Sequence, residues 1–356
     1  MLRWALMIAT PQAAVEQERA TQYAVVSAER AVAIAAENYG IIPTAHRLEG
    51  EKDSNFRLTA ANGEQFLLKI VHPDEDQGLT SMHTSALLRV AEKDPTFPVQ
   101  RIVPTLAGRP EFRLSIAQGD ERTVRMVTFA KGIMQRDAAH TAAQRFNVGQ
   151  MLARLQLALA DFSHPSDTHP IAWDLKNAAG LRNLISQSIS KEAARPLFQW
   201  IDIFEQDVIP LISRLPAQVV HNDLSSDNIV VDPTDTDRVA GIIDFGDMVR
   251  TVAMFDLAVG AAYQLTEAND PLAAAGDFIR GFHLVKPISK TEGSVLFKTI
   301  MARMVMRIAI TEWRAVKFPE NRKYILRNTP QVWRQFRVLS GMPEGETTSK
   351  FTEMLR

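Results

Sequence analysis

Asp223, Asn228 and Asp244 are the side chains of this 356-residue chain whose types and spacing fit joint chemistry. The first two lie in His221-Asn-Asp223-Leu-Ser-Ser-Asp-Asn228, an H-x-D-x-x-x-x-N string, and Asp244, in Ile242-Ile-Asp244-Phe-Gly246, comes 16 residues after Asn228. Ile229-Val-Val231 and Val239-Ala-Gly-Ile-Ile243 read as buried strands of one hairpin, which brings Asn228 and Asp244 together at its open end. From His221 to Asp256 there are eight aspartates against two arginines, a local −6 in a chain whose total is −1. Carboxylates at the edge of a core repel one another unless a cation or a donor compensates them. The chain has no cysteine, so the ligands on offer are oxygens, which suit hard Mg²⁺ rather than zinc. Asn228 and Asp244 are therefore the expected metal ligands, and Asp223 sits on a loop where it can accept a hydroxyl proton. Asp232-Pro-Thr-Asp-Thr-Asp237 reads differently, as a solvated turn.

The elements that must position these groups form two unlike halves. Residues 11–39 read as a helix, with Pro11 suited to its first turn and Tyr39-Gly40 as its stop. Short strands follow at 45–50, 55–61 and 65–72, with Asn62-Gly63 a hairpin turn between the last two. A helical pattern over 78–93 precedes strands at 100–106, 111–117 and 123–129. Beyond about residue 130 the chain reads as mainly helical, with helices near 191–213, 252–265, 271–283, 291–316 and 329–339. The expected class is α+β: residues 1–130 a lobe of antiparallel sheet plus helix, and 131–356 a larger helical lobe carrying the catalytic and metal-binding loops.

The two strings at this separation, behind a strand-rich small lobe, resemble the catalytic-loop Asp and Asn and the metal-binding D-F-G Asp of kinases. More closely, the chain resembles the aminoglycoside phosphotransferase and choline kinase superfamily, nearest its hydroxylysine kinase-like branch. Val220–Asn228, Gly241–Met248 and Trp173–Ala178 carry the likeness, supported by Leu48–Phe56 and Phe66–Ile70. It implies a bilobal protein-kinase-like fold and transfer of the γ-phosphate of ATP or GTP, with Mg²⁺, to an acceptor hydroxyl. Asp223 would be the base, and Asn228 and Asp244 the metal ligands. Lys69 would pair with the nucleotide phosphates, Gly50–Asn55 would cover them, and Val127–Phe129, including Thr128 and Phe129, would line the base pocket. His221 would be structural, and Asp256 would brace the catalytic loop. Two departures stand out: Asn222 occupies a position that is more often Gly, and residues 78–91 offer Lys69 no Glu partner, only His83.

The acidic segment favours an amine-bearing acceptor, met by Asp247, Trp173 and Asp174 through charge and an aromatic face. A hydroxylated amino acid such as 5-hydroxylysine leads; homoserine, choline or ethanolamine, and aminoglycosides follow. A non-catalytic nucleotide-binding pseudokinase is a competing reading, disfavoured by retention of all three site residues. A metal-dependent phosphohydrolase leaves Lys69 and the separate small lobe unexplained. Nine basic residues between 303 and 337 read as solvated helix faces, and Met301, Met304 and Met306 as core.

With 46% hydrophobic and 23% charged residues the chain has the composition of a globular protein, and a net charge of −1 gives no field to recruit nucleic acid or an anionic membrane. No run of about 18 apolar residues suggests a membrane span. Met1–Ala9 has a signal-like apolar run but a poor cleavage context, so it reads as an extension and the expected compartment is the cytoplasm. A homodimer is compatible with the sequence but nothing in it fixes the oligomeric state.

Overall fold

The computed structural model describes residues 24–48, 53–266, 271–343, 347, 350 and 351. Helix α1 (Ala28–Tyr39) starts where Ser27 Oγ accepts the Arg30 N–H and stops at Gly40, whose left-handed φ of 72° turns the chain out. The helix expected from residue 11 is therefore not continuous through 24–27, which are non-helical; residues 11–23, and Gly50 of the covering turn, lie outside the described residues. Strands β1 (Thr44–Leu48), β2 (Ser54–Thr59) and β3 (Gln65–Ile70) form an antiparallel meander, with Gly63 at φ 82° in the predicted Asn62-Gly63 turn. After α2 (Gln77–Lys93) come β4 (Ile102–Val103), β5 (Phe112–Ala117) and β6 (Asp120–Thr128). Strand β6 pairs with β3 along one edge and with β4 and β5 along the other, completing a six-stranded sheet. Strand β4 is shorter than its apolar run suggested, because Pro104 supplies no N–H to extend the ladder.

The sheet and α1 close one small core around Ile34, Phe56, Leu68 and Met126. Helix α2 belongs elsewhere. Its apolar face, Met82, Ala86, Leu87 and Val90, is continuous with the core of the helical half. Two ion pairs fasten it there, Arg154–Asp94 at 2.6 Å and Arg89–Asp161 at 2.5 Å.

The helical half contains β7 (Ile133–Met134), α3 (Ala142–Ala158), α4 (Leu181–Ser188) and α5 (Lys191–Ile203). The helix expected to reach residue 213 leaves α-geometry after Ile203 and runs on as a π-turn and a 3-10 turn, because Pro210 lacks the N–H that an α-helix needs. Strands β8 (Ala217–Val220), β9 (Ile229–Val231), β10 (Val239–Ile242) and β11 (Val249–Val252) follow, then α6 (Ala253–Tyr263), α7 (Pro271–Val285), α8 (Lys290–Lys317) and α9 (Thr329–Ser340). Helices α3 and α7 touch backbone to backbone at two glycines. A β-carbon on Gly149 would lie 1.9 Å from the Phe278 carbonyl, and one on Gly281 would lie 1.9 Å from that of Phe146. Helix α8, begun by a Ser289/Glu292 capping box, is the buried spine of this half. No helix among the described residues is long and apolar enough to cross a membrane.

Candidate active site

The His221–Asn228 segment is slung between two small sheets. Strand β8 pairs with β11, whereas β9 pairs with β10 and β7, so each end of the loop is fixed by a different partner. His221 Nε2 donates to the Ile243 carbonyl at 3.0 Å and Nδ1 accepts the Asp223 N–H at 3.3 Å, which makes the ring a strut between the two strings. Asn222 sits at φ 66°, and its N–H reaches the Asp256 carboxylate at 2.8 Å. That left-handed backbone suits Gly, which the resemblance leads one to expect at this position, and Asn is among the side-chain-bearing residues best able to adopt it. Asp256 is fully buried, takes a second hydrogen bond from Gln156 Nε2 at 3.2 Å, and has its carboxyl pushed up by burial.

Asp223 and Asn228 meet directly. Asn228 Nδ2 donates to Asp223 Oδ2 at 2.7 Å and to its main-chain carbonyl at 2.9 Å. With the amide nitrogen committed, Asn228 presents its Oδ1 for a cation. The Ile243 N–H bonds the Asn228 carbonyl at 3.0 Å, which sets Asp244 beside Asn228. Asp244 also adopts a left-handed φ, 59°, and its carboxylate is exposed, with Oδ1 accepting the Gly246 N–H at 3.2 Å. An amide oxygen and an exposed carboxylate, with room for water and phosphate oxygens, fit Mg²⁺, which keeps several such ligands. Among the described residues no group of three His, Asp or Glu side chains forms a metal cage.

On the small-lobe side, register pairing aligns Asn55, Lys69 and Arg125 across β2, β3 and β6, so their side chains share one face of the sheet. The uncertain partner of Lys69 is Asp53, at 2.8 Å; Asp53 also accepts the His72 N–H, and the Lys69 ammonium helps hold its carboxyl below the usual range against the opposing effect of burial. His83 fills the helix position facing this row, but it is buried with Nε2 unpartnered, and burial together with Arg125 and Lys69 keeps it neutral. Asn55 Oδ1 is likewise buried and unpartnered. The main-chain groups expected to line a base pocket need correction. Thr128 N–H and C=O are used by Arg101 and Gln100, and Phe129 N–H by Gln65, because the sheet pairing expected over 123–129 itself occupies these groups.

On the other side of Asp223 the expectations shift most. Asp174 is 3% exposed and caps the turn after it, bonded to Lys176 N–H at 3.0 Å, Thr251 Oγ1 at 2.8 Å and Lys176 Nζ at 3.0 Å. It holds the chain together and has little left to offer a ligand. The Trp173 ring is half-buried, with the Arg303 guanidinium 5.1 Å above it, and the Trp173 carbonyl accepts Arg303 Nη1 at 3.0 Å. Asp247 stands half-buried in the turn before β11. Of the remaining acidic side chains, Asp227 pairs with Arg136, Asp232 with Arg238, and Asp237 with the Thr141 hydroxyl; of these three partners only Arg136 adds a positive charge not already counted in the −6.

Sequence reasoning missed Arg303. It was grouped with solvated basic residues, yet it is 1% exposed, with Nη2 3.8 Å from Asp223 Oδ1 and Nε unpartnered. Burial raises the Tyr263 hydroxyl, as does the Asp223 charge, and Arg307 and Arg303 work against that shift. Burial raises the Asp223 carboxyl, Arg303 and His221 work against that shift, and the charge on Asp244 adds to it. Of the other basic positions, Arg322, Lys323, Arg327, Arg334 and Arg337 are exposed as expected. The signal for burial was present in Ile300-Met-Ala-Arg303-Met-Val-Met306, an arginine with apolar residues on every side.

Comparison with known proteins speaks to family and fold. Residues 44–293 match the profile of the phosphotransferase enzyme family. The chain is 27% identical over 322 residues to hydroxylysine kinase of Mus musculus, covering 83% of this chain and 84% of that one. It is 26% identical over 305 residues to homoserine kinase of Neisseria meningitidis serogroup B, covering 82% and 90%. Among solved structures it resembles the amicoumacin kinase hAmiN, determined with AMP-PNP, Ca²⁺ and Ami, with a TM-score of 0.64 at 15% identity over 84% of this chain and 93% of that one. The last likeness shows the bilobal kinase-like fold.

Proposed function

Because the chain belongs to the phosphotransferase enzyme family and is a small-molecule kinase, we propose that it transfers the γ-phosphate of ATP or GTP to the hydroxyl of an amine-bearing acceptor, a hydroxylated amino acid such as 5-hydroxylysine. The observation that carries this reading is the bonded pair Asp223–Asn228 set beside Asp244. Hydroxylysine kinase is the name shared by several relatives, which supports the acceptor class; the homoserine kinase relative makes homoserine the second choice.

In this mechanism Asp223 accepts the acceptor's hydroxyl proton at Oδ1 or Oδ2 as the oxygen approaches phosphorus. Asn228 fixes the carboxylate through Oδ2, and the His221 strut and the Asp256 brace hold the loop that carries it. Asn228 Oδ1 and Asp244 would hold Mg²⁺, which when bound neutralises and orients the nucleotide phosphates. Lys69 meets the phosphates from the sheet, exchanging Asp53 for them, with Asn55 in the same row. Residues up to about 130 thus serve the nucleotide and the rest serve the acceptor and the metal. We place the reaction in the cytoplasm, in keeping with a chain without cysteine.

A nucleotide-consumption screen of hydroxylated amines and amino acids with Mg²⁺ tests the reading. Turnover with none of them would sink it. Asp247 is assigned to the acceptor's ammonium. Asp247→Asn is expected to raise the acceptor KM about 10- to 100-fold, the worth of one charged hydrogen bond, and to spare the nucleotide KM. N-acetylated acceptors phosphorylated as well as the free amines would remove this assignment.

A further inference from the structure

Resting on the reading above, we infer that Arg307 is the specificity-determining anchor for a carboxylate on the acceptor, so that the enzyme selects amino acids over the corresponding amino alcohols. Arg307 stands one helical turn beyond Arg303 on α8, which places both guanidinium groups on the same face. Its guanidinium lies 4.1 Å from the centroid of the Tyr263 ring. Arg303 Nη2 lies 3.8 Å from Asp223 Oδ1, so Arg307 stands one helical turn from a side chain that reaches the proposed base.

The two arginines are not equivalent. Arg303 is sealed in, stacked on Trp173 and bonded to its carbonyl, and it positions Asp223 from below. Arg307 is half-buried, and among the described residues its guanidinium donates one hydrogen bond, from Nη1 to the Ala262 carbonyl at 3.3 Å. Most of its five N–H donors remain for a ligand, in the planar fork that matches a carboxylate. The charges agree. Arg303 and Arg307 face Asp223 as the near carboxylate, with the Asp174 charge already taken by Lys176, so this wall carries a surplus positive charge. A purely cationic acceptor gains nothing from such a wall, whereas an amino acid can set its carboxylate on Arg307 and its amine elsewhere.

The matched probes are 5-hydroxylysine and 1,5-diamino-2-pentanol, the same skeleton without the carboxylate. Wild type is expected to show kcat/KM about 10- to 100-fold higher for the amino acid. Arg307→Met is expected to erase that preference by raising the KM for 5-hydroxylysine alone, with the residual rate on the diamine and the nucleotide KM little changed. Arg307→Lys, which keeps the charge and loses the fork, falls between. Equal wild-type use of the two probes overturns the inference while leaving the kinase reading intact. A preference that survives in Arg307→Met also overturns it, and nucleotide binding by that variant shows that it is folded. Failure of wild type to phosphorylate any hydroxylated amine or amino acid instead removes the reading on which the inference rests.

Discussion

Asp223→Asn is expected to lower turnover by about 10²- to 10⁴-fold while nucleotide affinity stays near wild type, which is the range over which a positioned general base contributes. The variant is nearly isosteric. An Asn at 223 can still accept from Asn228 through its carbonyl oxygen, so the loop hydrogen bond at 2.7 Å has a replacement and the fold is spared. The proton acceptor is lost. Single-turnover measurements with saturating nucleotide separate the chemical step from binding, and a rate within a few-fold of wild type would show that Asp223 is not the base.

Loss of the Asp244 carboxylate is expected to have the second largest effect, a higher Mg²⁺ requirement together with a fall in kcat, because it removes a charged oxygen from the ion that clamps the phosphates. The choice of variant matters here. Asp244 lies at φ 59°, where Ala incurs backbone strain of about 1–2 kcal/mol and Asn incurs much less, so Asp244→Asn reports the charge more cleanly than Asp244→Ala. Asn228→Ala should shift the Mg²⁺ midpoint in the same direction and also loosen Asp223, which it holds by two hydrogen bonds. Activity titrated against Mg²⁺ decides the matter. An unchanged midpoint in both Asp244→Asn and Asn228→Ala would return these residues to ordinary turn chemistry.

The residues that sequence made legible are those whose relation is local. Asp223 and Asn228 are five residues apart in one loop, and Asp244 joins them across a single hairpin whose apolar strands announce themselves. Lys69 was equally plain, on an alternating strand after an Asn-Gly turn, but its partner was not. The search for a helix Glu passed over Asp53, which reaches Lys69 because β2 and β3 run antiparallel and place Ser54 opposite Ile70. Trp173 and Asp174 illustrate the opposite failure. Their types suggested an ammonium site, yet the cation over the indole is Arg303, 130 residues away, and the carboxylate is consumed by Thr251 and Lys176. Composition reveals an aromatic and a charge; only the packing of α8 against that segment says which cation they meet.

Strand β11 and the parting of the loop's two ends escaped for a related reason. Val249-Arg-Thr-Val252 is too short for its alternation to stand out, and its pairing with β8 spans some thirty residues of intervening chain. The local −6 counts surface aspartates such as the exposed Asp235 together with Asp223 and Asp244 at the site.

With α2 held by the helical half, the six-stranded sheet and α1 depend on a core of their own that is much the smaller of the two. Such a unit can open while the rest of the chain stays folded, at a free energy below that of global unfolding. On the proposed function, a nucleotide gripped by Lys69 on one side and, through its metal, by Asp244 on the other would bind only while the sheet is folded against the helical half, and at 100 times its Kd would stabilise that arrangement by about 2.7 kcal/mol. Amides of β2, β3 and β6 are therefore expected to exchange with solvent deuterium earlier than those of α3 and α8, and to slow by up to about 100-fold when Mg²⁺ and a non-hydrolysable nucleotide are added. Exchange of both halves at one rate would mean that the two cores unfold together. On that reading the ligand would be the mortar of the smaller lobe as well as the source of the phosphate.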